Sequence, residues 1–229
     1  MLSVSFATFF WLSLGYMFMK YSTDLPIYMD GIFTMVVILF MYMINVNIMQ
    51  TNCGSSSPST VFSATIFPWI GIFCPMIIAL HFFPEWKTPF SNTFGYLIAR
   101  LAGGQTALFE LLQPAEGKSI QYVYDDPSLL LNQFNPRNFS EMLNSFQELS
   151  GSEEAVQKLY NIIKMKDLVS EWIWYMLTSS IVTTTSYSTL MRGECTKTSE
   201  EYVLSHNIAM ANSNATEVKP KGTTYTVTE

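Results

Sequence analysis

Few residues in this chain are of the kinds that do chemistry, and their spacing assembles none of the familiar arrangements. There are two histidines, His81 and His206, and three cysteines, Cys53, Cys74 and Cys195. A Ser-His-Asp or Cys-His relay needs a base beside a nucleophile, and no spacing here supplies one. The cysteines are far apart, odd in number and without a Cys-x-x-Cys pair, so neither a zinc site nor a disulfide framework follows. Two of them flank or sit within apolar stretches, where a thiol acts as a small hydrophobe. His81 reads as an interfacial or packing residue. Asp125-Asp126 and Glu153-Glu154 could serve a metal or an acid–base step, but helix N-termini favour carboxylates in any case. Gly103-Gly104 lacks the further glycine and lysine of a phosphate-binding loop. The expectation is no catalytic residue, no cofactor and no metal, and a protein that is not an enzyme.

The elements that would have to position any site are set by where charge is missing. Only 13% of residues are charged, against 49% hydrophobic, whereas a soluble domain carries about 25% charge. No charge lies in 1–19, 31–84 or 172–191. A hydrocarbon core of about 30 Å asks for about 20 apolar residues per helix, and these gaps meet it. Four spans are expected: Leu2–Met19, Ile32–Met49, Val61–Phe83 and Trp172–Met191. The first reads as an uncleaved anchor, without a basic n-region or a small-residue cleavage site. Lys20 and Tyr21 would close it at the interface, the lysine snorkelling outward. Pro68 and Pro75 should bend the third span. The fourth is rich in serine and threonine, which suits close helix packing more than a pore lining.

The fold class expected is all-α: a multi-span helical membrane protein with a small helical extramembrane region and a flexible C-terminal tail. Its parts are a membrane domain over 1–84, an irregular helical region over 85–150, a stalk over 151–192 running into the fourth span, and a polar tail over 193–229. Thr93–Leu101 and Thr106–Leu112 are apolar enough to lie on the membrane surface. Asp126-Pro127 reads as a cap with proline at the first helical position. Asn138 with Glu141 and Ser150 with Glu153 have capping-box spacing. Beyond Ser150, Ala155, Leu159, Ile162, Ile163, Val169 and Trp172 line one face, with Lys158, Lys164, Lys166 and Asp167 placed elsewhere. With no proline or glycine between Ser152 and Gly193, about 40 residues would make a rod of about 60 Å. Thr198 and Glu201 could cap a short helix in the tail.

Four spans place both termini on one side, and the Lys/Arg balance then puts the middle region in the cytoplasm. Of the sequons at Asn138 and Asn214, only the second would be lumenal. The net charge of −6 argues against a nucleic-acid partner.

One stretch is distinctive: Phe83-Pro84-Glu85-Trp86-Lys87-Thr88-Pro89-Phe90-Ser91-Asn92-Thr93-Phe94-Gly95-Tyr96, following Thr51-Asn52-Cys53-Gly54 and a proline-bearing apolar helix. It resembles a family of membrane or minor capsid proteins of nucleocytoplasmic large DNA viruses of algae and amoebae. The likeness covers about Thr51 to Gly104. It implies a structural protein of the virion inner membrane, linking capsid shell to lipid, with the bilayer and other capsid or membrane-complex proteins as partners. Trp86, Phe90, Asn92, Phe94 and Tyr96 are the candidate interface residues. A channel-forming protein and an accessory subunit of an organellar membrane complex are the competing expectations.

Overall fold

The computed structural model describes residues 2–23, 25–53, 57–112, 118–145 and 152–192, together with 203, 204, 206–208 and 210. The described residues are helical, with no β-strand among them. The flexible tail, the start of its short helix, Ser150 and Asn214 fall outside the described residues; 203, 204, 206–208 and 210 are helical.

Three helices begin the chain. α1 is Leu2–Ser22 and α2 is Tyr28–Cys53, separated by a turn closed by the Met29 N–H donating to the Pro26 carbonyl. α3 spans Pro58–Phe82 and opens with proline at its first position, where the missing N–H costs nothing. Tyr28–Asn52 and Pro58–Phe82 are each long and apolar enough to cross a membrane. Between its two internal prolines α3 widens into a π-turn over Trp69–Phe73. Pro75 cannot donate to the Gly71 carbonyl and its ring crowds that position. The wider i→i+5 turn, with the Cys74 N–H on the Trp69 carbonyl, accommodates it within one continuous helix.

A short helix, α4, follows over residues 88–101, entered through the 3₁₀ turn Pro84–Lys87 and carrying a second π-turn, Ser91–Gly95. Gly103, at φ 86°, takes the left-handed conformation that starts α5, Gly104–Leu111. α6 (Lys118–Asp125), α7 (Ser128–Leu131) and α8 (Phe139–Ser145) complete a small head. The Asp126 carboxylate accepts from the Ser128 N–H at 3.0 Å, but α7 begins at Ser128, so Pro127 stands at the cap position and not at the first helical position expected. Asn138 does not form its capping box. Its side chain instead accepts from the Asn135 N–H and donates to the Gln133 carbonyl, closing the loop before α8.

α9, Glu153–Arg192, is a single helix of 40 residues shared by head and bundle. Its cap is Ser152, whose hydroxyl accepts from the Ala155 N–H, two residues later than the Ser150 expected. The upper half of α9 is not a bare stalk. Leu159, Ile162 and Ile163 are buried against Ala99, Ala107, Leu108, Leu111, Leu131 and Phe134 of the head. The lower half packs on α1, α2 and α3 around an aromatic core of Phe9, Tyr16, Phe33, Trp69, Phe73 and Tyr175. Tyr16 and Phe33 stack at 4.2 Å, and Phe9 meets Phe73 edge-on at 5.5 Å, geometries that add to area burial.

Two glycines let the head sit this close. A Cβ on Gly95 would stand 2.6 Å from the Lys166 carbonyl oxygen, and one on Gly104 would stand 2.8 Å from that of Ala99.

Candidate functional site

The ends of α1, α2 and α3 meet the middle of α9 at one level, and five ionisable side chains converge there. Lys20 pairs with Asp30 at 2.8 Å and Glu171 at 2.6 Å. Lys87 pairs with Asp167 and lies 3.7 Å from Glu171. The Tyr16 hydroxyl donates to Asp30 and that of Tyr175 to Glu171. Lys20 therefore does not snorkel outward. It turns in because two neighbouring helices present carboxylates at its height, and an ion pair outweighs partial hydration. Burial alone would lower the Lys20 pKa; Glu171 and Asp30 more than offset it and hold it above the usual lysine value. Burial would likewise raise Glu171, but Lys20 and Lys87 keep it below the usual carboxylate range.

Above this network opens a polar cleft of about 490 Å³ between the turn after α3 and the loop joining α7 to α8. Lys87 and Asp167 are shared by both. Glu85 and Asn92 line one wall, and Asn135, Arg137 and Glu141 the other. Arg137 donates to the His81 carbonyl at 3.0 Å, tying that loop to the end of α3. His81 itself is exposed, its ring against Phe82.

The loop wall is held from below by Lys166, which the sequence pattern places off the apolar face but which is 1% exposed. It follows Leu159, Ile162 and Ile163 in the same helical stripe, so the period marks the position as buried although its charge argues otherwise. Its ammonium donates to the Leu131 carbonyl at 2.7 Å and to the Phe134 carbonyl and Asn132 amide oxygen at 3.4 Å. Carbonyl oxygens thus replace water around a cation that has no carboxylate in direct contact among the described residues. Burial pushes its pKa down to about 8, against an opposing pull from Asp167.

The five candidate interface residues do not share one surface. Trp86 and Phe94 face outward. Phe90 packs edge-on against Trp174 at 5.1 Å, and Trp174 donates to the Trp86 carbonyl. Asn92 faces the polar cleft. Tyr96 packs on the head core, where its hydroxyl accepts from Gln105. The motif thus does two jobs: Phe90, Gly95 and Tyr96 seat α4, while Trp86, Asn92 and Phe94 remain accessible. Asn138 keeps both ends of its amide hydrogen-bonded, which disfavours it as a glycan acceptor.

About 15 residues, roughly 22 Å, along α2 and α9 from the ion network lies a second polar knot. Asn45 donates to Thr65 at 2.8 Å and to Ser186 at 2.9 Å. Trp172 donates to Ser13 across α9 and α1. Thr178, Ser179, Thr183 and Ser186 are buried between helices, while the hydroxyls of Thr184 and Thr189 donate to their own helix carbonyls. These bonds explain how a hydroxyl-rich segment packs without free polar groups. Among the described residues, no buried side-chain nitrogen or oxygen lacks a hydrogen-bond partner, and no three His, Cys, Asp or Glu side chains group as a metal site. Comparison of the chain with family models, with curated proteins and with solved structures finds no match.

Proposed function

We propose that the chain is a multi-span membrane anchor whose helical head docks the proteins of a larger assembly. The observation that carries the reading is the apolar face that nothing in the fold covers. On α2, Met35, Leu39 and Met43 recur every four residues at 66%, 64% and 70% exposure. Trp11 and Phe18 on α1, Phe67 and Ile70 on α3, and Leu177 and Ile181 on α9 continue it around the bundle. Large apolar side chains left open on all four helices suit lipid as their solvent. All four spans then belong to the membrane, with the ion network at its boundary. Two of the helices pass a length-and-composition test by themselves; α1 and the lower half of α9 join them by packing.

The anchoring role draws on α9, which transmits the position of the bundle rigidly to the head. The resemblance over about Thr51 to Gly104 to viral membrane proteins supports a virion as the assembly, with the head facing the capsid shell and Trp86 and Phe94 at the contact. An organellar complex would use the same architecture, and co-purification with capsid proteins separates the two. A channel would draw on the hydroxyl-rich fourth span; single-channel recording of the purified protein tests it, and a conductance altered by Thr184→Val would favour that reading.

The test of the anchor uses Leu39→Cys and Ile70→Cys in a chain whose native cysteines are replaced by serine. Both positions are exposed on the protein surface, so a membrane-impermeant maleimide should label neither in intact membranes and both in detergent. Ready labelling in intact membranes would overturn the reading. Asn161→Pro should break α9 inside the head, leaving membrane insertion intact and abolishing incorporation into the native assembly.

A further inference from the structure

Where α2 begins and α3 ends, the two helices leave a groove of about 370 Å³. Its floor is Gly31 and Thr34 of α2 with Cys74, Ile77 and Ile78 of α3. Thr34 donates its hydroxyl to the Asp30 carbonyl of its own helix at 2.7 Å, so the floor offers no free hydroxyl. Gly31 keeps the groove open, since nothing stands within 4 Å of where its Cβ would be. Asp30 and His81 stand at one end, with the exposed rings of Tyr28 and Phe82. From His81 down to Cys74 the groove follows α3 for about 10 Å.

Asp30 is the only Asp, Glu, Lys or Arg lining this groove among the described residues. Its two oxygens differ. Oδ1 accepts from the Tyr16 hydroxyl at 2.7 Å and from Lys20 at 2.8 Å. Oδ2 accepts no hydrogen bond from any described residue, and no buried side-chain oxygen among them lacks a partner, so Oδ2 is open at the surface. A free carboxylate oxygen at the mouth of an apolar groove is matched by a cationic donor. The apolar surface indicates what carries that donor. Gly31, Met35, Leu39 and Met43 form one stripe of α2, so the groove runs directly into the face assigned to lipid, and the exposed Ile78 extends it on α3. Asp30 belongs to the ion network at the boundary of that face.

From this juxtaposition we infer that the groove binds a phospholipid with a primary-amine headgroup, phosphatidylethanolamine. Its ammonium donates to Asp30 Oδ2 and one acyl chain lies over Gly31 and along Ile78. A choline headgroup has no N–H to donate, and an anionic headgroup meets the carboxylate with like charge. The inference rests on reading the bundle as embedded in a membrane and adds a lipid class to that reading.

The experiment adds phosphatidylethanolamine, phosphatidylcholine or phosphatidylglycerol, all with the same acyl chains, to the detergent-solubilised full-length protein. Native mass spectrometry counts the lipid adducts. The ethanolamine lipid should bind about tenfold more tightly than either other lipid, the size of one charge-assisted hydrogen bond. Gly31→Phe fills the groove from an open position and should erase the preference. Gly15→Phe, equally open but on α1 outside the groove, should keep it. Asp30→Asn should bind the three lipids alike; if it unfolds with the ion network, the two glycine variants decide. Equal binding of the three lipids by the wild type, a preference for choline or glycerol, or a preference that survives Gly31→Phe would overturn the assignment. Carbonate extraction reads the anchor separately. A chain that stays in the membrane without the ethanolamine preference leaves the anchor standing and removes the lipid site, whereas a chain released by carbonate removes both.

Discussion

Replacing Gly95 by alanine sets two effects of known size against each other. Gly95 lies inside a helical segment, where alanine is favoured over glycine by about 1 kcal/mol. Local propensity alone therefore expects Gly95→Ala to stabilise. The packing says the reverse. The new methyl would stand 2.6 Å from the Lys166 carbonyl oxygen and 2.9 Å from Lys166 Cγ. The oxygen belongs to the backbone of α9 and cannot rotate aside. The Lys166 side chain is pinned by its bonds to Leu131, Asn132 and Phe134. Relief requires α4 to lift off α9 or Lys166 to lose its carbonyl cradle. Overpacking of this kind costs about 1–3 kcal/mol, and two immobile obstacles place it in the upper half. The net expectation is a loss of about 1–2 kcal/mol. Gly15→Ala is the control: nothing lies within 4 Å of a Cβ there, so only the propensity gain remains. Unfolding of both variants in mixed micelles, titrated with sodium dodecyl sulfate and followed by tryptophan fluorescence, reads the difference. A Gly95→Ala protein as stable as the Gly15→Ala protein would refute the close approach of α4 to α9.

Glu171→Gln should destabilise by about 2–3 kcal/mol, below the 3–5 typical of a broken buried pair, because Asp30 and Asp167 still face Lys20 and Lys87; the same titration measures it. The depressed pKa of Glu171 has a matching pH signature. Its contribution is complete above the unfolded carboxylate value and is lost as pH falls through the folded one, so the wild type should lose its advantage over Glu171→Gln in acid. Lys166 runs the other way: with its pKa lowered to about 8 from 10.5, the unfolded chain binds the extra proton between those values. Stability should rise by up to about 3 kcal/mol from pH 8 to 10.5 relative to Lys166→Met, and a pH-independent difference would count against a buried ammonium. Asn45→Leu removes both bonds that join α2 to α3 and α9, and on the proposed membrane reading should cost about 1 kcal/mol, measured as a shift in the detergent unfolding midpoint.

Much of the helical framework was legible in the residues alone, because a long charge-free stretch bounded by prolines or charges has few other structures open to it. The continuity of α9 followed from the absence of proline and glycine between Ser152 and Gly193, and the break before α5 from Gly103-Gly104. The proline pair in α3 announced a perturbation; the structure resolved it as a π-turn. The motif at 83–96 was visible as an unusual string, but not its division between seating α4 and facing outward. Placement of the charges was decided only by the tertiary structure. Lys20, Asp30, Lys87, Asp167 and Glu171 are spread over most of the chain, and only Asp167 and Glu171 are linked by helical spacing. Each reads alone as a residue bordering water. Lys166 was within reach, since its spacing from Ile162 and Ile163 puts it in the buried stripe; its charge argued the other way. The cost of burying that charge depends on which oxygens stand around it, and those of Leu131 and Phe134 arrive from a loop more than 30 residues earlier. A helix's own sequence sets which of its faces is apolar, whereas the partners of a buried cation are set by the heights and azimuths at which other helices pass.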